Sequence, residues 1–160
     1  MLDDLQQVDW DAIDHVHGAV DSVPGQLRGL LDPDPGVREA CFQGLFDHLV
    51  GPDHQVLAQD LAVTVLPFLL QIAEADEPGR GYAALLLCAI ARSARLSQND
   101  VVRDAVESRR DSIRLWSGPA LVDARAYLLS CLDRFETPEE RPERKVLRAL
   151  WRALSEETAE

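Results

Sequence analysis

A proline-bearing turn recurs along this chain at nearly even spacing. Pro35-Gly36, Pro78-Gly79 and Gly118-Pro119 put prolines 43 and 41 residues apart. Each turn is followed by a helical pattern and preceded by another. A period near forty with two helices per unit predicts an all-α chain of stacked helix pairs. One pair cannot bury its own apolar face, so neighbouring pairs must cover one another. Composition agrees: 46% of the residues are hydrophobic but only 6% are aromatic. Ala and Leu, both strong helix formers, carry most of the apolar content.

The turns divide the 160 residues into parts of a single domain. Residues 1–50 hold a leading helix, Asp9 to His17, and a first pair. That pair comprises Val23–Leu31, capped by Ser22, and a helix to about Val50, capped by Asp34 with Pro35 at its first position. The second helix buries Ala40, Phe42, Leu45, Phe46 and Leu49 on one broad face. Residues 51–95 hold a second pair. Pro67 predicts a break near Thr64–Leu66 in its first helix. Gly81–Ala94 is apolar nearly all round, which makes it the central helix. Residues 96–136 hold a third pair, Asn99–Trp116 and Pro119–Phe135, and residues 137–160 a C-terminal capping helix. Val146, Leu147, Leu150, Trp151 and Leu154 line one side of that cap.

Some of these residues point to a family. Asp9-Trp10 with His15-Val16-His17-Gly18 looks like the opening of small actinobacterial HEAT-repeat proteins. Asp32-Pro33-Asp34-Pro35-Gly36-Val37-Arg38-Glu39-Ala40 resembles the start of a HEAT second helix, and His54-Gln55 before Pro67-Phe68-Leu69-Leu70 matches a further signature. Val56 stands where a Gly usually follows the His-Gln pair, and His17 where an aromatic residue is usual. The resemblance implies a short HEAT-like α-solenoid of about three helix pairs with terminal capping helices. It also implies protein–protein interaction; some small bacterial proteins of this kind are immunity or accessory factors.

Charge divides the chain in two. Residues 1–77 carry fifteen Asp or Glu against Arg28 and Arg38, a net −13, and residues 78–160 carry thirteen acids against fourteen bases, a net +1. The first half must project a negative field, and the second reads as a mixed, self-paired surface. The leading expectation is therefore a module that binds a basic protein through Asp32, Asp34, Asp47, Asp53 and Asp60. Solubility alone is the plainer reading. A nucleic-acid binder would need a basic groove, which a net charge of −12 opposes.

Chemistry is harder to find. No Gly-rich phosphate loop, metalloprotease His-Glu-x-x-His or Cys-x-x-Cys occurs. Cys41, Cys88 and Cys131 sit far apart in apolar stretches, as reduced core thiols would. No metal site and no cofactor is expected. His48, Asp53 and His54 gather around Gly51-Pro52, where they could serve a ligand or acid–base chemistry, although loop His and Asp are more often merely solvated. Arg109 falls on the apolar stripe Val102, Val106, Ile113, Trp116, so a helix there would bury a charge. Its expected partner is Asp123 or Asp133, or else a bound anion. An enzyme or accessory factor of a small biosynthetic pathway, with a pocket at His48/His54 or Arg109, is the alternative function. The acidic start of the chain and the lack of a long apolar run suggest a cytoplasmic protein without a membrane segment.

Overall fold

The structure is a computed structural model, and it describes residues 2–14, 16–51, 57–75, 78–136 and 151–152. Among these residues it is all-helical. Seven α-helices run α1 Val23–Gly29, α2 Pro35–Val50, α3 Gln59–Glu74, α4 Arg80–Leu96, α5 Asp100–Glu107, α6 Arg110–Arg114 and α7 Pro119–Asp133. Two short 3-10 segments, Asp3–Gln7 and Trp10–Ala12, precede them.

The expected central helix is found. α4 buries every residue from Gly81 to Arg95, and it packs against α2, α3, α5 and α7. Around it the helices pair in chain order, α1 on α2, α3 on α4 and α6 on α7. α5 lies against α3 and α4. Small residues let this crowding happen: Ala83, Ala84, Ala89 and Ala91 are all under 5% exposed. No described helix is long and apolar enough to cross a membrane.

Local signals set most of the ends. The Asp34 carboxylate accepts the Gly36 N–H at 2.7 Å and caps α2, with Pro35 at the first position. Asn99 caps α5 by accepting the Val102 N–H at 3.1 Å. Prolines open α1 and α7 as well, where no backbone donor is missed.

Four expectations fail, each for a local reason. The leading helix Asp9–His17 is absent as such, and 3-10 turns stand in its place. Leu2, Leu5 and Val8 recur every third residue, the spacing that lines up on a 3-10 helix. Leu2 and Leu5 are buried accordingly. Ser22 does not cap α1 with its side chain, because its hydroxyl lies instead against His48. α3 runs unbroken through Pro67. Pro67 and Val63, whose carbonyl it leaves unbonded, both face solvent, where water can serve that carbonyl. Ala40 is exposed, and the buried residue on that part of α2 is Arg38.

Of the capping helix expected near Pro142–Ser155, only Trp151 and Arg152 lie within the described residues. Trp151 packs on Phe42 of α2 and Tyr82 of α4. Among the described residues its ring thus meets the first and second pairs.

Two glycines separate close packing from helix propensity. A Cβ on Gly79 would meet the Leu30 carbonyl oxygen at 2.1 Å, whereas one on Gly25 meets nothing within 4 Å. Gly79→Ala should lower stability by about 1–3 kcal/mol, since backbone must move. Gly25→Ala should be neutral or raise it by up to about 1 kcal/mol. Thermal melting of the two variants checks this contrast.

Candidate functional site

The described acids of the first half are almost all solvent-facing. Asp4, Asp9, Asp11, Asp14 and Asp21 line the leader, Glu39 and Asp47 lie on α2, and Asp60 opens α3; all are exposed. Asp32 and Asp34 form the turn before α2. There the Asp32 carboxylate accepts the Asp34 N–H at 2.9 Å. Arg38 is folded back under this turn and is 8% exposed. Its guanidinium donates to the Asp32 carbonyl at 2.7 Å and the Pro33 carbonyl at 2.9 Å. One of the two basic residues in the first half is thus spent on backbone oxygens and neutralises no surface carboxylate.

The second half is arranged differently. Arg110 holds Glu107 at 2.6 Å and Asp133 at 2.7 Å, tying α6 to α7. Hydrogen bonds to both carboxylates raise its pKa, and the same contact holds Glu107 below its ordinary value. Arg103 meets Asp100 and Asp104 and lies over the Phe135 ring. Arg114 pairs with Asp111. Arg103, Arg110 and Arg114 thus hold their carboxylates within residues 100–136, whereas Asp32, Asp34, Asp47 and Asp60 have no ion pair among the described residues.

The four described acids of the expected site do not form one patch. Asp34 and Asp47 stand at opposite ends of α2, about 20 Å apart at 1.5 Å per residue. Asp47 and Asp60 share an end of the molecule, where the Ala58 N–H bonds the Leu49 carbonyl at 2.7 Å. Asp53 lies outside the described residues, as does His54.

That same end gathers His17, His48 and Ser22. Ser22 Oγ lies 3.2 Å from His48 Nε2, bridging the start of α1 and the last turn of α2. Burial lowers the His48 pKa, opposed by Asp47 and assisted by His17. The His17 ring rests on Gly51, where an added Cβ would come within 2.6 Å of it. Gly51 also has φ 70°, so glycine is required there twice over. No group of three or more His, Cys, Asp or Glu among the described residues is placed to hold a metal.

Arg109 is exposed, contrary to expectation. The chain breaks between α5 and α6: Arg109 N–H bonds the Val106 carbonyl three residues back, and Ser108 Oγ donates to Ala105. The tightened turn swings Arg109 off the stripe while Val102, Val106, Ile113 and Trp116 stay buried. The expected interhelix pair exists one residue along, as Arg110–Asp133. An open cleft of about 500 Å³ sits elsewhere, between Leu57–Gln59 and Ser97–Val101. Its polar groups are mostly committed: Gln98 donates to the Arg95 and Phe135 carbonyls, and Asn99 to Gln59.

The sequence reading also passed over Arg92 and Arg95, which are 4% and 0% exposed, and each has an interaction partner. Cys88 and Cys131 are buried and Cys41 is half-buried, and none of the three is in a disulfide. No protein-family model, no curated protein and no solved structure matches this chain.

Two measurements follow from this geometry. Arg38→Ala should cost about 1–3 kcal/mol, because two backbone carbonyls lose a charged donor. Arg109→Ala should stay within about 0.5 kcal/mol of the parent, as a surface change does. Urea unfolding of both variants tests the reassignment. His48 supplies a pH test. Its folded pKa lies below the unfolded value, so the unfolded chain binds more protons below about pH 6.5. The His48 contribution should therefore reduce stability as pH falls from 7 toward 5, and His48→Gln should lessen that fall. Melting temperatures of the two proteins across this range read the difference directly.

Proposed function

We propose that this chain is a binding module that receives a basic protein on its acidic N-terminal half. The observation that carries the reading is a segregation of charge: among the described residues, Asp34, Asp47 and Asp60 are exposed and have no ion pair, against self-paired charges on residues 100–136. A surface of one sign repels itself and weakens the compact state, so folding alone gives no reason to keep it. Complementary charge speeds encounter and selects partners of opposite sign. The acids at both ends of α2 suit a macromolecule that spans them better than a small molecule held at one point.

The HEAT-like reading belongs to the same proposal. The packing of α2, α4 and α7 as neighbours, with α3 and α5 beside them, supports two layers of stacked helices. With the Asp-Pro turn and the buried Arg38, it favours a short HEAT-like solenoid. An immunity or accessory protein acting in the bacterial cytoplasm, with a nucleic-acid-cleaving toxin as its basic partner, is the specific role we infer by resemblance. A fold of this kind serves many tasks, so the site and not the fold must decide.

The test begins with capture of partners by the full chain at low salt. Association of a captured partner should slow steeply as ionic strength rises. Asp47→Lys with Asp60→Lys should slow it about three- to tenfold at low salt and leave the melting temperature unchanged. An association rate flat with salt, or a partner that is itself acidic, overturns the reading.

A further inference from the structure

We infer that the cleft between the starts of α3 and α5 is an arginine-binding site, and that the basic partner anchors there by one arginine of an extended segment. This rests on the proposed function and names the chemistry of the contact. The cleft holds about 500 Å³, within the roughly 300–1,000 Å³ of sites that take a small ligand. Three helix ends build it: Leu57 and Gln59 at the start of α3, Ser97 and Gln98 after α4, and Asp100 and Val101 at the start of α5.

Hydrogen bonds fix its frame and leave particular atoms open. Gln98 has φ 51°, a left-handed backbone that glycine or asparagine adopts at lower cost. Its side chain accounts for the glutamine: Nε2 donates to the Arg95 carbonyl at 2.7 Å and to the Phe135 carbonyl at 2.6 Å. With both N–H groups engaged the planar carboxamide cannot turn, and Oε1 is left as a fixed acceptor with no partner among the described residues. Asn99 accepts the Val102 N–H at 3.1 Å and donates to Gln59 Oε1 at 3.0 Å, which leaves the Gln59 amide nitrogen free to donate.

Charge and shape select the occupant. Arg103 is shared by Asp100, Asp104 and Glu136, at 3.1, 2.9 and 3.7 Å, so three carboxylates hold one guanidinium and two negative charges stand in surplus. Asp100 lines the cleft, and its side chain is 69% exposed. The N-terminal ends of α3 and α5 would draw an anion, but each already carries a first-turn acid, Asp60 and Asp100. The C-terminal end of α4, closed by Ser97, favours a cation. Leu57 and Val101 add an apolar wall, and Val101 is 54% exposed. An arginine answers each feature. Its methylene stem lies on Val101, its planar fork meets the Asp100 carboxylate and Gln98 Oε1, and its backbone carbonyl accepts from Gln59. A lysine ammonium is a compact, strongly hydrated point charge and matches two fixed acceptors less well.

The probe is the end-capped tripeptide Gly-Arg-Gly, titrated at low salt into the isotope-labelled full-length chain and followed by nuclear magnetic resonance. The backbone resonances of Asp100 and Val101 and the side-chain amide resonances of Gln59 and Gln98 should shift together on one saturation curve. A tripeptide with citrulline at its centre, which keeps the shape and loses the charge, should bind about tenfold more weakly, and so should one with lysine. Val101→Phe fills the cleft from an exposed position without changing charge. It should weaken Gly-Arg-Gly binding about tenfold and leave the melting temperature unmoved, and Asp100→Asn should weaken it as much. Resonances that stay still, shifts spread equally over Asp34 and Asp47, or equal binding of the citrulline or lysine tripeptide overturn the inference. A captured basic partner that associates in a salt-dependent way, yet leaves Val101→Phe at the parent's rate, sinks this inference and leaves the proposed function standing. An association rate flat with salt sinks the proposed function, and the tripeptide titration then decides the cleft by itself.

Discussion

The structure depends on the burial of α4. A helix whose residues from Gly81 to Arg95 are all buried has no side to give to water, so it can exist only inside a ring of other helices. α2, α3, α5 and α7 supply that ring. Removing any of them would uncover apolar surface that contributes on the order of 25 cal/mol per Å². The alanines of α4 set how closely the ring can approach, and the close contact of Gly79 with Leu30 sets where the chain enters it. Arg92 and Arg95 share this interior, and neither is left without an interaction.

A ring of helices around one buried member leaves function to the outside, and there the two halves of the chain diverge. In residues 100–136 the arginines are consumed by nearby carboxylates, and Arg110 joins α6 to α7 as it does so. In the first half Arg38 turns inward to hold the Asp32 and Pro33 carbonyls. The Asp-Pro turn is therefore organised at the expense of surface neutralisation. The same arrangement that fixes the entry to α2 leaves Asp34 without a countercharge among the described residues, and at the far end of α2 Asp47 and Asp60 have none there either. Structure and electrostatics are linked through one side chain.

The acidic end near Gly51 adds a second kind of group. Ser22, His17 and His48 meet where the leader, α1 and α2 come together, and burial favours the neutral form of His48. Mild acid would add positive charge to this face and reduce its field. If the proposed function holds, attraction for a basic partner would weaken over the same range in which the His48 contribution lowers the fold's stability.

The sequence by itself determined the helical class, the turns and the central helix. Those features are encoded in short stretches: proline at first helical positions, Asp34 and Asn99 as caps, and an apolar run long enough to bury a helix on all sides. It determined the charge split too, since counting residues requires no geometry. Tertiary structure decided what each polar side chain does. Arg109 left its stripe because one tightened turn at Ser108 rephased the helix, and a periodic pattern cannot register a single short turn. Ser22 bonds His48, 26 residues away, in preference to the backbone beside it. Pro67 stays within α3 because the Val63 carbonyl it leaves unbonded lies on the exposed side of the helix, a fact of position and not of composition. The three-residue spacing of Leu2, Leu5 and Val8 was open to reading and signals the 3-10 leader. The docking of Trp151 on Phe42 and Tyr82 carried no local signal, since it depends on which distant rings the fold brings into reach, whereas Arg38 holds carbonyls only five and six residues back, inside a stretch its sequence already marked.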